Sequence, residues 1–504
     1  MNDSHPMAQA DPPDSFQTPA NVNVRQAILK GGAWVFLGRL LMRGIGVIST
    51  IILARMLAPE DFGLVAICTV LVGLAEVIGR YGQEIAVIRR QNLDRDFLDS
   101  AWTASNITGL VLGVCVFASA PFIAGYFNEP RAVLPIQILS LRVFCIGLQN
   151  IGLVLYRREL DFSRDFTNTI LEKFIPVTVT ILTAYFIRNY WALVIGNVVG
   201  FFGAIAASYV LHPYRPKICF KHIREVWSFS LWVLLEKFAF FSTMRIDHLF
   251  VPAVGNTAQL GHYHVGSDLG RMPVGELFMP LNRVLFPAYA HLMHQPGGLS
   301  NAYVHALSAA TAICLPVSFG FALIAGDFTR VIYGAKWMEM VPVVELSALA
   351  SGAVALIGVV TPVLLALGRS RVSAALICLQ ALLLLCGLLT FQGVFTGISD
   401  IAAVRLAAVL TVLPIALICV HIEISLSFTK IITAAWRPAL AVLSMSLALL
   451  YVLPEDMNIP AALRLGVRTL AGAAVYCGVL FLAWLASGKP DGAERILLDV
   501  VRRR

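Results

Sequence analysis

Apolar residues run along the chain in stretches of about twenty, the length that crosses a bilayer as a helix, separated by short polar connections. The first run, Gly31 to Leu57, reads GGAWVFLGRLLMRGIGVISTIILARML and carries two cations in its first half. Arg39 and Arg43 lie four residues apart on one helical face, continued by Gly46 and Thr50, while Trp34, Leu37, Leu41, Ile48 and Ile52 cover the other directions. An arginine at mid-membrane costs roughly 2.5–3.5 kcal/mol on insertion scales, so this stripe is expected to face a bundle interior or a wet cavity.

Counted the same way, about fourteen spans are expected, beginning near residues 31, 62, 101, 131, 170, 190, 226, 258, 301, 341, 372, 400, 433 and 464. The connections leave no room for a folded soluble domain. Two stretches recur in order along the chain, IAGYF at Ile123 as IAGDF at Ile324, and LPIQILS at Leu134 as VPVVELS at Val341. LAPEDFGLVA from Leu57 likewise answers to GNTAQLGHYH from Gly255. An offset spanning an even number of helices makes this a parallel repeat. The expected fold is therefore an all-α polytopic membrane protein with two parallel six-helix lobes and two extra C-terminal helices. Its divisions are a cytoplasmic tail at 1–30, an N-lobe at 31–212, a C-lobe at 213–425, two helices at 426–487 and a basic tail at 488–504. The polar, Pro-containing opening lacks an apolar core and a cleavage site, so it is expected as a disordered tail rather than a signal peptide.

Composition agrees with this class: 504 residues, 58% hydrophobic and 13% charged, with mean hydropathy +0.77. The net charge of +8 falls in alternate loops. By the positive-inside rule those loops are cytoplasmic, and an even number of spans puts both termini there too. No nucleic-acid motif interrupts the spans, so nucleic acid is not an expected partner. The nine cysteines are scattered singly, without metal spacing.

Charged groups inside the spans are the candidate chemistry. In the second span Glu76 and Arg80 form an i,i+4 pair, which either neutralises itself or serves a cavity. The seventh holds Glu236 and Lys237, and by the repeat offset Lys237 answers to Arg39. The eighth adds Asp268, Arg271, Glu276 and Arg283. Arg142, Glu345 and Arg405 read as packed structural pairs, and His262 and His264 as hydrated groups near an interface. Pro273, Pro280, Pro287, Pro316 and Pro362 are expected to kink their helices. There is no phosphate-binding G-x-x-x-x-G-K loop and no H-E-x-x-H; a weak D-x-D at Asp94 to Asp96 lacks surroundings that could hold a sugar nucleotide. The chain does not read as an enzyme.

LARMLAPEDFGLVAI at Leu53, YRRELDFS at Tyr156 and VIYGAKWMEMVPVVELSA at Val331 resemble the polysaccharide transporters, the Wzx-type oligosaccharide flippases of the multidrug/oligosaccharidyl-lipid/polysaccharide exporter superfamily. The resemblance covers nearly the whole chain. It implies two lobes facing a central cavity and alternating-access export of lipid-linked oligosaccharide across the bacterial inner membrane for exopolysaccharide or lipopolysaccharide synthesis. The substrate is then a polyprenyl-pyrophosphate oligosaccharide, with a polysaccharide polymerase and glycosyltransferases as partners. A cleft lined by Arg39, Arg43, Arg80, Lys237 and Arg271 would attract the pyrophosphate, arginine being able to bind two oxygens at once. Glu76, Glu236, Asp268 and Glu276 would pair those cations or bind a coupling proton or sodium ion, and no other cofactor or metal is expected. The alternatives are a cation-coupled multidrug or metabolite antiporter of the same superfamily, a peptidoglycan lipid-precursor flippase, or a polysaccharide polymerase or ligase. A drug cavity should be dominated by acids and aromatics, and polymerases use a large external loop that this chain lacks.

Overall fold

The computed structural model describes residues 24–90, 93–158, 161–228, 238, 241–293, 295, 297–454 and 457–489. Among them there is no β-strand. The longer helices are α1 (Val24–Met56), α2 (Pro59–Arg89), α3 (Arg95–Tyr126), α4 (Val133–Phe144), α5 (Phe162–Ile187), α6 (Trp191–Leu211), α7 (Thr257–Leu292), α8 (Gly298–Leu323), α9 (Val341–Ala366), α10 (Ser370–Phe391), α11 (Ile398–Ile424), α12 (Phe428–Leu447) and α13 (Ala461–Ala486). Eleven candidate membrane spans lie among the described residues. The two long helices outside the eleven, α1 and α7, are those that carry charged stripes. Apart from the seventh, each expected span start falls on, or within two residues of, one of the longer helices; most of that seventh span lies outside the described residues. The five prolines expected to bend helices lie inside α7, α8 and α9, which continue through them.

Local chemistry sets the ends. Asn256 and Gln259 form a reciprocal capping box that starts α7, with Asn256 Oδ1 accepting from the Gln259 amide at 3.0 Å and Gln259 Oε1 from the Asn256 amide at 3.2 Å. Asp161 caps α5 by accepting from the Arg164 amide at 3.2 Å. Between α1 and α2, Asp61 accepts from the Ala58 amide at 2.8 Å and closes the turn.

The chain forms two compact units. The first takes residues up to Met56, 67–125 and 130–238, and the second takes 57–66, 126–129 and everything from 239. In the first unit, α5 and α6 approach closely because α6 presents glycines. A Cβ on Gly196 would lie 2.1 Å from Thr180 Oγ1, and one on Gly200 would lie 2.2 Å from Pro176 Cα. Small residues let membrane helices gain dispersion contact where no hydrophobic effect drives them together. Below them, a strap at residues 212–222 is fastened to the first turns of α3. The Lys217, Cys219 and His222 amides donate to Asp99 (2.8 Å), Thr103 (3.0 Å) and Ser100 (3.2 Å), and Tyr214 Oη donates to Asp99 at 2.6 Å.

In the second unit the stretch after Leu57 meets those around Gly261 and Trp337. Gly63 at the start of α2 crosses Gly261 at the start of α7: a Cβ on Gly63 would meet the Thr257 carbonyl at 1.7 Å, and one on Gly261 would meet the Pro59 carbonyl at 2.0 Å. The repeat pairs Gly63 with Gly261 and Pro59 with Thr257, so the contact is reciprocal. Trp337 is fully buried against both partners' neighbours, edge-on to Phe62 (5.3 Å between ring centres) and to His262 (5.4 Å). Gly334, at φ 98°, occupies a backbone conformation that L side chains rarely adopt, and it turns the chain into this wedge. Next to the tryptophan, Lys336 Nζ donates to the Leu57 carbonyl at 2.6 Å. In the same connection between α8 and α9, buried Asp327 accepts from Arg464 Nε at 2.6 Å and Arg468 Nη1 at 2.9 Å, pinning α13 in place.

Candidate functional site

The first unit gathers its charges where α1, α2, α4, α5 and α6 meet polar neighbours. The α1 stripe faces α5: a Cβ on Gly38 would lie 2.8 Å from the Phe166 ring, and one on Gly46 would lie 3.8 Å from the Lys173 stem. Arg43 is exposed on the same face. Glu76 of α2 is bound by Arg142 of α4, with Nε at 2.5 Å and Nη2 at 3.3 Å. Arg142 is in turn occupied by Asn197 Oδ1 at 2.8 Å and stacks its guanidinium 5.3 Å from the centre of the Phe201 ring. Glu172 of α5 accepts from Gln149 and from Asn168. Each carboxylate here is therefore already engaged.

The second unit holds a larger network. Asp247, fully buried, accepts from Arg405 Nη1 at 2.5 Å, Tyr263 Oη at 2.8 Å and the His248 ring at 2.9 Å. With Nδ1–H assigned to that bond, His248 Nε2 is left as an acceptor, and Arg245 Nη1 lies 3.3 Å from it and 3.1 Å from His264 Nδ1. Arg245 and Arg271 both reach Asp268, at 3.3 and 2.7 Å. Arg271 also donates to the Ser267 and Met244 carbonyls. Three arginines against two aspartates leave this network one positive charge in excess while the histidines are neutral. Beyond it, an apolar cavity of about 930 Å³ opens among α8, α9, α11, α12 and α13. Its lining is aliphatic and aromatic apart from Glu345, Ser446 and Arg468.

The residues expected from sequence fall into three groups. Arg43 and Glu76 belong to the first cluster, and Asp268 and Arg271 pair within the second, with Glu276 about two turns further along α7. Arg39 and Arg80 are placed on α1 and α2, but their side chains lie outside the described residues, as do Glu236 and Lys237 altogether. Glu76 takes its described ion-pair partner from another helix, Arg142, rather than from its own. Arg142 and Arg405 do find carboxylates, at Glu76 and Asp247.

The histidine reading needs correction. His262 is only 4 % exposed, its Nε2 3.6 Å from a Glu339 carboxylate oxygen, and His264 is engaged by Arg245, because both rings pack among side chains of neighbouring elements. Sequence reasoning passed over Lys173, although a lysine near the middle of an apolar run was the available signal. Arg245, Asp247 and His248 carry no assignment from sequence, because their grouping depends on which helices meet.

Comparison with known proteins adds an independent line. The model of the family described as "Polysaccharide biosynthesis protein" matches residues 52–342. The Escherichia coli (strain K12) lipopolysaccharide biosynthesis protein WzxC is 23% identical over 336 residues, covering 64% of this chain and 67% of that protein. The succinoglycan biosynthesis transport protein ExoT of Rhizobium meliloti (strain 1021) is 24% identical over 487 residues, covering 95% of this chain and 96% of that one. Among solved structures, the lipid II flippase MurJ in an inward closed conformation superposes with a TM-score of 0.74 at 14% identity, covering 90% of this chain and 99% of that one. That likeness is one of fold.

Proposed function

The chain belongs to the polysaccharide biosynthesis protein family, transporters and flippases of the multidrug/oligosaccharidyl-lipid/polysaccharide exporter superfamily, and we propose that its cargo is a polyprenyl-pyrophosphate-linked oligosaccharide. In this reading it carries single lipid-linked units across the bacterial inner membrane by alternating access, with both termini in the cytoplasm. Glycosyltransferases supply the cargo and a polymerase consumes it.

The observation that carries the reading is the apolar cavity of the second unit. Sixteen of its nineteen lining residues are apolar, so it suits a long hydrocarbon chain and offers little to a sugar or a small hydrophilic drug. A polyprenyl tail fits that chemistry. The sugars and phosphates would then be left to the charged helices, where arginine binds phosphate oxygens in pairs. In this reading Asp268, held between Arg245 and Arg271, would exchange those cations for a coupling proton or sodium ion.

The test is mass spectrometry of lipid extracts from a strain lacking the gene, beside an assay of surface polymer. Accumulated polyprenyl-pyrophosphate oligosaccharide with lost polymer supports the reading and identifies the glycan. Unchanged lipid intermediates with normal polymer refute it.

A further inference from the structure

The strap that leaves α6 reads Lys217-Ile218-Cys219-Phe220-Lys221, and alternate residues in it do different work. The Lys217 and Cys219 amides hold it to Asp99 and Thr103 of α3. Ile218 and Phe220, between and beyond them, are 73 % and 62 % exposed, although both are large and apolar.

The strap also has a depth. The candidate span that is α3 runs for 32 residues, about 48 Å at ~1.5 Å per residue against about 30 Å of hydrocarbon, so with the excess shared roughly 9 Å stands outside at each end. Along that end the strap dips and returns. Lys217 meets Asp99, Cys219 meets Thr103 one helical turn deeper, and the chain then comes back to Ser100 through the His222 amide and to Asp96 through Lys221 Nζ at 2.7 Å. Thr103 is eight residues into α3, about 12 Å at the same rise, which sets the tip of the strap at the hydrocarbon boundary and its two lysines further out.

The charges around the tip are mostly basic. Lys217, Lys221, Arg215 and Arg224 are exposed. Arg215 donates to the Tyr209, His212 and Tyr214 carbonyls, partners that carry no charge to cancel its own. Of the acids, Asp99 is buried beneath Tyr214 and Glu225 is paired with Arg90. Asp96 meets Lys221 in an exposed pair, which costs little to rearrange. An apolar tip with basic shoulders matches a lipid surface, whose acyl boundary takes the apolar side chains while anionic headgroups take the cations.

We propose that the strap is an interfacial anchor: Ile218 and Phe220 enter the acyl boundary at the N-terminal end of α3, and Lys217 and Lys221 bind the anionic phospholipid headgroups around them. The anchor is independent of the cargo.

The experiment is hydrogen exchange of the strap, read by mass spectrometry at one pH. The purified full-length protein is placed in nanodiscs of phosphatidylcholine alone or of phosphatidylcholine mixed with phosphatidylglycerol. In wild type the peptide over 212–223 is expected to exchange more slowly in the anionic discs, by about fivefold for each lysine, the scale of one cation at an anionic surface. High salt should erase that difference. Lys217→Gln combined with Lys221→Gln should erase it too; protection lost with the Asp96 pair falls alike in both discs and leaves the comparison intact. Ile218→Ser combined with Phe220→Ser should speed exchange in both discs while peptides from α5 and α6 exchange as in wild type. Equal wild-type exchange in the two discs, as a strap that docks a protein would give, overturns the anchor. So does a lysine variant that keeps the full difference, or a serine variant that exchanges like wild type.

Discussion

Replacing Gly63 with alanine sets two effects of opposite sign against each other. In an open helix, Gly→Ala stabilises by about 1 kcal/mol, because alanine loses less backbone entropy. At Gly63 the new Cβ would lie 1.7 Å from the Thr257 carbonyl oxygen, whereas ordinary contact begins at 3.4 Å. The start of α2 must then retreat from α7 by about 1.7 Å, and neither neighbour can yield alone because both contacts are backbone. Retreat also pulls Phe62 off Trp337. Overpacking of this kind costs about 1–3 kcal/mol, which outweighs the propensity gain. Gly261→Ala should behave alike, its Cβ meeting the Pro59 carbonyl at 2.0 Å. The double variant should lose less than the sum, since helices parted once leave room for the second methyl. Gly44→Ala is the control: nothing lies within 4 Å of its Cβ, so it should be neutral or stabilising. Unfolding of the purified protein in detergent on titration with dodecyl sulfate, followed by tryptophan fluorescence, measures all four. A Gly63→Ala protein at least as stable as wild type would refute the close-crossing argument.

Three further outcomes are expected. Asp327→Asn leaves Arg464 and Arg468 without their shared carboxylate and should cost about 3–5 kcal/mol in the same unfolding assay. His212, at the start of the strap, accepts from the Tyr214 amide at 3.1 Å, and its pKa is depressed below 6.5 by burial and by the Arg164 and Arg215 charges. A histidine pKa depressed by folding contributes stability above the unfolded value and loses it as pH falls through 6.5 toward the folded value. Amide protection factors in the strap, taken relative to intrinsic exchange at each pH, should therefore fall between about pH 7 and pH 5, and the change should flatten in His212→Gln. Ala439→Trp places an indole inside the apolar cavity and should cut polymer export by roughly tenfold at normal protein abundance; undiminished export would exclude the cavity from the transport path.

Membrane residence, helical class and the position of most spans were legible in the chain because hydrocarbon forces backbone groups to be satisfied within each helix, so hydropathy and length suffice. The repeat reading set the segment holding Gly63 against the one holding Gly261. That they cross each other, with Trp337 wedged beside them, depended on how helices distant in sequence pack.

The same limit applies to the charges. Periodicity assigned Arg43, Glu76, Asp268 and Arg271 to helix faces, but a face does not name its neighbour. Glu76 could not be matched to Arg142, 66 residues away, nor Asp247 to Arg405, 158 residues away. Lys173 shows the difference most plainly. In sequence it stands beside Glu172, yet consecutive helical residues point about 100° apart. Only the folded first unit decides that Glu172 turns to Gln149 and Asn168 while the ammonium is left beside Arg43 and Gly46.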